Sequence, residues 1–421
     1  MKLHVNVDYF KKLLNPILKN CIFDKVNLEF AVDENGIKLK AKHEDINVQL
    51  KIDCKKHPDL KYICIQKGVG VVNVRTFKVF LIAFPKGKVI LINFPSHMTI
   101  SDLANPQQMN TNLEIEYAVT ENELECKKLT HEFSIPARAF VNALKAVRFA
   151  IGREISKPYY QGIFLVMSEG KLSCIAGSGG LFAVKHVQTF SKANKKKKVE
   201  IFLPLKSVNS VITALNTLSS GTVNLAYFDK RYILSLHYLE IVFPRITDYK
   251  CVAINKILDY NFPHRLYINS KNLKLPVKCL MAAAAKDQSY FKSADMNYET
   301  SSGTILFNYG TTSQCDVEVN PGSVVPLSSD KPLMLKTHPA HLHDVYNSWP
   351  DQTELEMLCE INGKKPIVVK PKNEEFIKDN EPDVIFFATY KLPWHQDDVP
   401  KENTTEDKKD NQKESAGSNN G

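Results

Sequence analysis

Between Phe133 and His186 the alternation of apolar and polar residues changes period twice. A short alternating run, Phe133 to Pro136, predicts a strand. Phe140, Leu144, Val147 and Ile151 then recur at i, i+4, i+7 and i+11, the stripe of an amphipathic helix over about Ala137 to Ile151. Period two returns in QGIFLVMSEGKLSCIA, a hairpin turning at Ser168-Glu169-Gly170, and a glycine cluster separates it from a further strand, LFAVKHV. A fainter version of this order occurs once before and once after it.

In the first stretch, Met1 to Val7 reads as a strand, with Asp8 as N-cap of a helix from Tyr9 to about Leu18 that Pro16 limits or kinks. Strands VNLEFAV and GIKLKAK meet at Asn35-Gly36, a hairpin signal. VGVVNV then leads into a second helix, Arg75 to about Phe84, followed by VILINF, a polar loop from Asn105 to Thr111, and strands from Leu113 and Leu124. The middle stretch continues with a strand ending at Leu203, a helix opened by Pro204, and strands TVNLAYF, YILSLHY and LEIVF. The last gives RLYINS, a helix Lys271 to Lys286, TILFNYG, QCDVEV, a helix Pro339 to Trp349, then ELEMLCE, KPIVVKP and DVIFFATYKL. Each stretch reads as strand, helix, strands, helix, strands. That predicts an α+β chain of three tandem domains, 1–128, 129–260 and 261–392, with helices on one side of antiparallel sheets. The Lys/Glu/Asp/Asn/Ser-rich end, 393–421, predicts a disordered acidic tail.

Composition adds limits. Of 421 residues, 43% are hydrophobic and 24% charged, ordinary values for a globular protein, and no apolar run is long enough for a transmembrane helix. The nine cysteines are scattered, with no C-x-x-C and no zinc-like spacing, so a reducing compartment, core thiols, no metal and no cofactor are expected. Net charge is +9, and the segment after Leu392 holds seven acidic residues against four lysines, so the body carries about +12, compatible with a polyanion partner. The run Lys195 to Lys198 lies between strands and reads as a solvated loop.

Several segments, in order, resemble the bacterial-type DNA polymerase sliding clamp, the β subunit of the replicative polymerase. Lys157-Pro158-Tyr159-Tyr160-Gln161-Gly162 resembles the family's Arg-Pro-Tyr-Leu-x-Gly; Ala176-Gly177-Ser178-Gly179-Gly180-Leu181-Phe182-Ala183 stands where the family has Ala-Thr-Asp-Gly-His-Arg-Leu-Ala. Phe202-Leu203-Pro204-Leu205-Lys206, Phe243-Pro244 with Asp248-Tyr249-Lys250-Cys251-Val252, and Phe386 to Leu392 match in turn. The resemblance covers about residues 1 to 392. It implies a subunit that closes head-to-tail, as a homodimer, into a ring around duplex DNA, catalyses nothing, is opened by a clamp-loader ATPase and tethers a DNA polymerase through a peptide groove. A bacterial cell, or the cytoplasm of a phage-infected one, is the expected location, and the Lys/Asn-rich composition and divergence suit a phage source.

A sliding ring needs phosphate contact without base readout. The candidates are Lys11, Lys12, Lys19, Arg75 and Lys78 in the first stretch, Arg138, Lys145, Arg148, Arg153 and Lys206 in the second, and Lys271, Lys274 and Lys278 in the third. The resemblance places the partner groove at Tyr160, Gly177, Gly179, Gly180, Leu181, Phe182, Thr247, Cys251, Val252, Phe386, Phe387, Ala388, Tyr390, Lys391 and Leu392. Its departures, Gly180-Leu181 for His-Arg and Ala388-Thr389-Tyr390 for a Pro-rich end, predict a more apolar groove. Ala283 and Ala284 stand where the family has large aliphatics at the ring interface, which predicts a weaker ring.

Two other classes compete. Ala176 to Gly180 looks like a phosphate loop or nucleophile elbow, but both need a helix directly afterwards and LFAVKHV reads as a strand. A non-ring basic DNA-binding or scaffold protein on the same domains stays open. The plainer reading of any single lysine is a solvated face, and of Phe386 and Phe387 a buried core.

Overall fold

Strands in this chain run straight into helices, and one slot governs the turn. The side chain of Asn6 accepts a hydrogen bond from the Tyr9 amide (3.0 Å), Asn73 from Thr76 (3.1 Å), Asn269 from Lys271 (3.0 Å), and His338 from Ala340 (3.0 Å). Pro136 and Pro204 fill the same slot in the middle of the chain. Each satisfies, or in proline's case pre-sets, a helix start. Asp8 is therefore not the cap expected of it: it lies in the first turn and accepts from the Gly87 amide at 2.7 Å.

The computed structural model describes residues 1–20, 26–43, 46–94, 98–105, 110–113, 130–154, 156–168, 170–190, 199–218, 220–228, 230–251, 257, 260–287, 292–299, 302–310, 313–320, 323, 333–360, 365–373, 375 and 377–388. The first stretch contains β1 (Lys2–Asn6), α1 (Val7–Asn20), β2 (Asn27–Val32), β3 (Gly36–His43), β4 (Ile46–Asp53), β5 (Ile63–Gln66), β6 (Gly68–Asn73), α2 (Val74–Ala83), β7 (Val89–Asn93), β8 (Met98–Asp102) and β9 (Asn110–Leu113). The second contains β10 (Thr130–Pro136), α3 (Ala137–Val147), β11 (Gly162–Ser168), β12 (Lys171–Gly177), β13 (Leu181–Gln188), β14 (Val199–Pro204), α4 (Leu205–Leu215), β15 (Thr222–Phe228), β16 (Arg231–Leu236) and β17 (Leu239–Pro244). The third contains β18 (His264–Asn269), α5 (Ser270–Lys286), β19 (Ala294–Glu299), β20 (Thr304–Tyr309), β21 (Ser313–Glu318), β22 (Met334–Thr337), α6 (Pro339–Ser348), β23 (Glu354–Cys359), β24 (Ile367–Pro371) and β25 (Val384–Phe387). Apart from β5, the three stretches share one order: strand, helix, three strands, strand, helix, three strands.

The sheets are antiparallel and run β5-β1-β7-β8-β9, β10-β15-β16-β17-β4-β3-β2-β6, β14-β11-β12-β13-β25-β24-β23-β18 and β21-β20-β19-β22. The two eight-stranded sheets each join two stretches. β4 pairs with β17, Leu50 opposite Leu239, and β13 pairs with β25, Phe182 opposite Phe386. In both cases the fourth strand of one stretch meets the eighth strand of the next. The corresponding strands left over are β21 and β9, both at sheet edges. Helices form their own layer, α2 on α1, α1 on α4 across the first junction, α4 on α3, and α5 on α6. A main core of Phe10, Phe30, Phe77, Phe140, Phe243 and Phe307, with surrounding aliphatics, lies between helices and sheets.

Several local expectations are corrected. Pro16 sits inside α1 without ending it, as Pro276 does in α5. The loop expected to Thr111 already contains β9, and the strands expected from Leu113 onward lie mostly outside the described residues, as do Lys195 to Lys198 and 393–421. β4, β5, β8, β19 and β22 are additional to the expected strands: β4 alternates Ile46, Val48, Leu50 and Ile52, whereas β5, β8, β19 and β22 are short or largely polar.

The second junction holds a buried ion pair. Lys185 donates to Asp383 Oδ1 (2.9 Å) and to the Lys378 carbonyl (3.2 Å), while Asp383 Oδ2 accepts from the His186 amide (2.6 Å). Its counterpart at the first junction, Lys51–Glu240 (2.8 Å), is exposed, where such pairs contribute little. Asp383→Ala should lower stability by about 3 kcal/mol, since it leaves a buried ammonium unpaired. Lys51→Ala should cost under about 1 kcal/mol. Urea denaturation of the two variants checks the contrast.

Candidate nucleic-acid face and partner groove

Among the described residues, helices α1 to α6 carry twelve Lys and Arg against two acidic residues, Asp8 and Asp344. In α3 the buried face is Phe140, Val141, Leu144 and Val147, and Arg138 and Lys145 lie exposed on the opposite side, continued by Arg148 and Arg153. In α5, Leu273, Val277, Leu280 and Ala284 turn inward, leaving Lys271, Lys274 and Lys278 outside. Lys12, Lys19, Arg75 and Lys206 are exposed as well. Lys145 reaches Asn216 on the α4 C-cap (3.0 Å), and Lys274 pairs with Asp351 (3.3 Å).

Two of the candidates do something else. Lys11 on α1 donates to the Phe84 carbonyl at the end of α2 (3.0 Å), and Lys78 on α2 donates to the Leu18 carbonyl near the end of α1 (3.1 Å). The helices thus cap one another's C-termini, a favourable place for a cation. Burial lowers the Lys11 pKa, Asp8 opposing it. Both are half-buried.

Across the second junction, on the side of the sheet away from the main core, lies a separate apolar cluster: Phe164, Val166, Ile175, Val184, Phe202, Val368, Val384 and Phe386. Phe182, Ile246, Tyr249 and Cys251 pack against it. The same side of the first junction presents Lys38, Lys40, Gln49, Lys51, Ser235 and Glu240. One junction is apolar outside and its counterpart mostly polar, with Ile233 and Val242 its apolar members, although the strand pairing is the same. Tyr159 and Tyr160 (centroids 4.4 Å apart), Tyr159 and Tyr249 (6.4 Å), and Tyr160 and Phe182 (6.1 Å) form an aromatic wall above it.

The expected groove residues divide. Phe386 belongs to this outer cluster, whereas Leu181 and Phe387 point into the main core. The glycines do not leave open space. A Cβ at Gly177 would meet the Phe182 ring at 2.2 Å, one at Gly179 (φ +85) the Tyr160 ring at 3.1 Å, and one at Gly180 the His341 ring at 3.1 Å. They admit the chain's own rings. Thr247 is exposed and bonds Asp248, and the Cys251 amide donates to Glu200 (3.2 Å). Ala388 donates to the Gly180 carbonyl (2.8 Å) and accepts from Thr337 Oγ1 (3.3 Å). Val252, Tyr390, Lys391 and Leu392 lie outside the described residues. Ala284 is buried in its own core and Ala283 packs against it, so of that alanine run only Ala282 and Ala285 are exposed.

Sequence reading missed His341. It lies between His338 (5.5 Å) and Phe387 (6.1 Å), beside Gly180. Its only signal was a position on the inward side of the helix opened by Pro339. Burial, then the neighbouring His338, pushes its pKa down to about 4.

Among the described residues no Cys, His, Asp and Glu cluster could hold a metal, and no helix is long and apolar enough to cross a membrane. The arrangement is a three-unit α+β clamp fold with a basic helix layer and one apolar cluster on the outer side of the second junction. Solved structures carry the same fold. The DNA polymerase III β chain of Streptococcus pneumoniae is 12% identical, with TM-score 0.76 over 93% of this chain and 100% of that one. The β subunit from Thermotoga maritima is 16% identical, TM-score 0.73, over 93% and 99%. A sliding clamp from Bartonella birtlesii, solved bound to griselimycin, is 14% identical, TM-score 0.73, over 93% and 100%. The sequence matches no protein-family model and no curated protein. The chain has the fold of the bacterial sliding clamps.

The folded chain keeps His341 neutral down to about pH 4, whereas the unfolded chain takes up that proton near pH 6.5. Stability should fall as pH drops from about 6.5 toward 4, by up to about 3 kcal/mol from this group. In His341→Gln the denaturation midpoint should change less with pH across that window.

Proposed function

We propose that this chain is a DNA sliding clamp: a non-catalytic processivity factor, built of domains 1–128, 129–260 and 261–392, that encircles duplex DNA and tethers a DNA polymerase through the outer groove. The observation that carries the reading is the charge of the helix layer, twelve basic residues to two acidic ones, on a fold whose strand pairing repeats from unit to unit. A layer of that composition attracts phosphates without reading bases.

Repetition also supports closure. Fourth strand meets eighth strand at both internal junctions, and β21 and β9 remain as the unmatched fourth and eighth. A second copy supplies the missing partner at each end, β21 of one subunit beside β9 of the other, and two such contacts close a homodimer head-to-tail. α5 packs directly on β21 and so borders that contact. The argument for a weakened ring rests on Ala282 and Ala285, since Ala284 serves its own core. A clamp-loader ATPase opens the ring, and the work is done in the cytoplasm of a bacterium or an infected cell, with no cofactor.

Topology tests the proposal. The protein should stay on nicked circular DNA through a high-salt column and be lost once the circle is linearised. A basic DNA-binding scaffold would leave both at one salt-dependent rate, and that result would sink the clamp reading. Arg138→Ala and Lys278→Ala should each weaken binding to duplexes of any sequence about equally. Each should also lower the slope of log affinity against log salt by about 0.9.

A further inference from the structure

Among the described cysteines, Cys174 and Cys359 are buried, whereas Cys279 on α5 and Cys315 on β21 are half-buried. α5 packs directly on β21. Along that strand Val317 is buried and Gln314, Asp316 and Glu318 are exposed, so period two turns Cys315 inward with Val317. Its cross-strand neighbour is Phe307, a fully buried core ring. On α5, Cys279 adjoins Leu280 of the buried stripe and stands one turn before Ala283, which packs against the core. The two side chains meet there, the Cys279 thiol hydrogen-bonded to that of Cys315. Burial, and then that neighbour, push the Cys315 pKa up to about 11. Between the two cysteines the chain completes α5 and runs through β19 and β20. β21 pairs with β20 on one side and is otherwise a sheet edge.

We propose that Cys279 and Cys315 form a dithiol–disulfide site, closed by exchange with a small disulfide of the glutathione class and reopened by thiols, that fastens the edge strand β21 to α5. The site needs no DNA, ring or partner chain, and so stands apart from the clamp reading. The thiolate of one cysteine attacks a sulfur of the small disulfide, breaks its S–S bond and expels one thiolate. The other cysteine, already in contact, attacks the protein sulfur of this mixed disulfide and expels the second. One S–S bond is made and one broken; two protein thiols are oxidised, and the two released thiols take up their protons. In a reducing compartment the pair rests as two thiols. A thiol held protonated is a slow nucleophile, so the site answers to a lasting change of redox poise rather than to a brief pulse. An edge strand with one neighbour opens more readily than a central one. The cross-link removes that freedom by closing the loop that holds β19 and β20.

Peptide mapping of the full chain tests this. After incubation with glutathione disulfide at mildly alkaline pH and alkylation of the remaining thiols, the Cys279 and Cys315 peptides should appear joined to each other. Dithiothreitol should separate them. Amide exchange across Ser313–Glu318 should slow about tenfold in the oxidised protein, and should not respond to the oxidant in Cys279→Ser or Cys315→Ser. Both thiols still free after the incubation overturn the proposal, and so does each cysteine carrying its own glutathione with no link between them. These readings come from the native chain and hold whether or not the variants fold. A link that forms while exchange in β21 stays unchanged overturns the fastening.

Discussion

Backbone pairing across unit boundaries is the constraint on which this molecule depends. β4 with β17 and β13 with β25 make each boundary the middle of an eight-stranded sheet rather than a contact between finished surfaces. A sheet edge left unpaired is a liability, and here four of the potential edges, those of β4, β17, β13 and β25, are consumed in pairs across the unit boundaries. The orientation of each unit is therefore fixed by hydrogen-bond register, with Leu50 opposite Leu239 and Phe182 opposite Phe386. The helix layer inherits that order, which is why α1 can pack on α4 of the next unit.

Equal pairing does not make the two junctions equal in chemistry. Outward positions on β13 and β25 and their neighbours are aromatic and aliphatic; those on β4, β17 and their neighbours are mostly lysine, glutamine, asparagine, serine and glutamate, with Ile233 and Val242 as apolar exceptions. Ion pairs obey the same division, Lys185–Asp383 largely hidden and Lys51–Glu240 exposed. A repeat architecture thus presents equivalent outer surfaces at its junctions, and the side chains make them chemically unlike. The aromatic wall and the His341-backed glycine turn lie at the second junction.

Much of the fold was legible because it depends on periodicity. The stripe from Phe140 to Val147 and the alternation from Gly162 to Ala176 appear where the pattern predicts them, although the helix expected to reach Ile151 ends at Val147 and gives way to a 3₁₀ turn at Arg148–Ala150. What failed depended on three-dimensional neighbours. Asp8 looks like a cap by type, yet Asn6 holds the slot because the strand gives way to the helix two residues earlier than the pattern suggests. Glycines 177, 179 and 180 are assigned to the partner groove by the resemblance, but their missing side chains make way for Phe182, Tyr160 and His341, and no local pattern states which ring will arrive. Ala284 falls at i+11 from Leu273 and so belongs to the core stripe, which spacing alone could have revealed.

Lys11 and Lys78 carry a consequence for how the first unit meets a polyanion. A lysine whose ammonium is held by a helix-end carbonyl keeps its charge but gives up its reach. It adds to the potential that draws a phosphate chain inward, yet it cannot extend to track an individual phosphate as the strand moves past. The first unit therefore presents two of its positive charges as a fixed field tied to the helix ends, while Lys12, Lys19 and Arg75 stay at the surface. The pair of ammonium groups is thus part of the helix packing as much as of the surface charge, and a change in one helix would move the charge carried by the other.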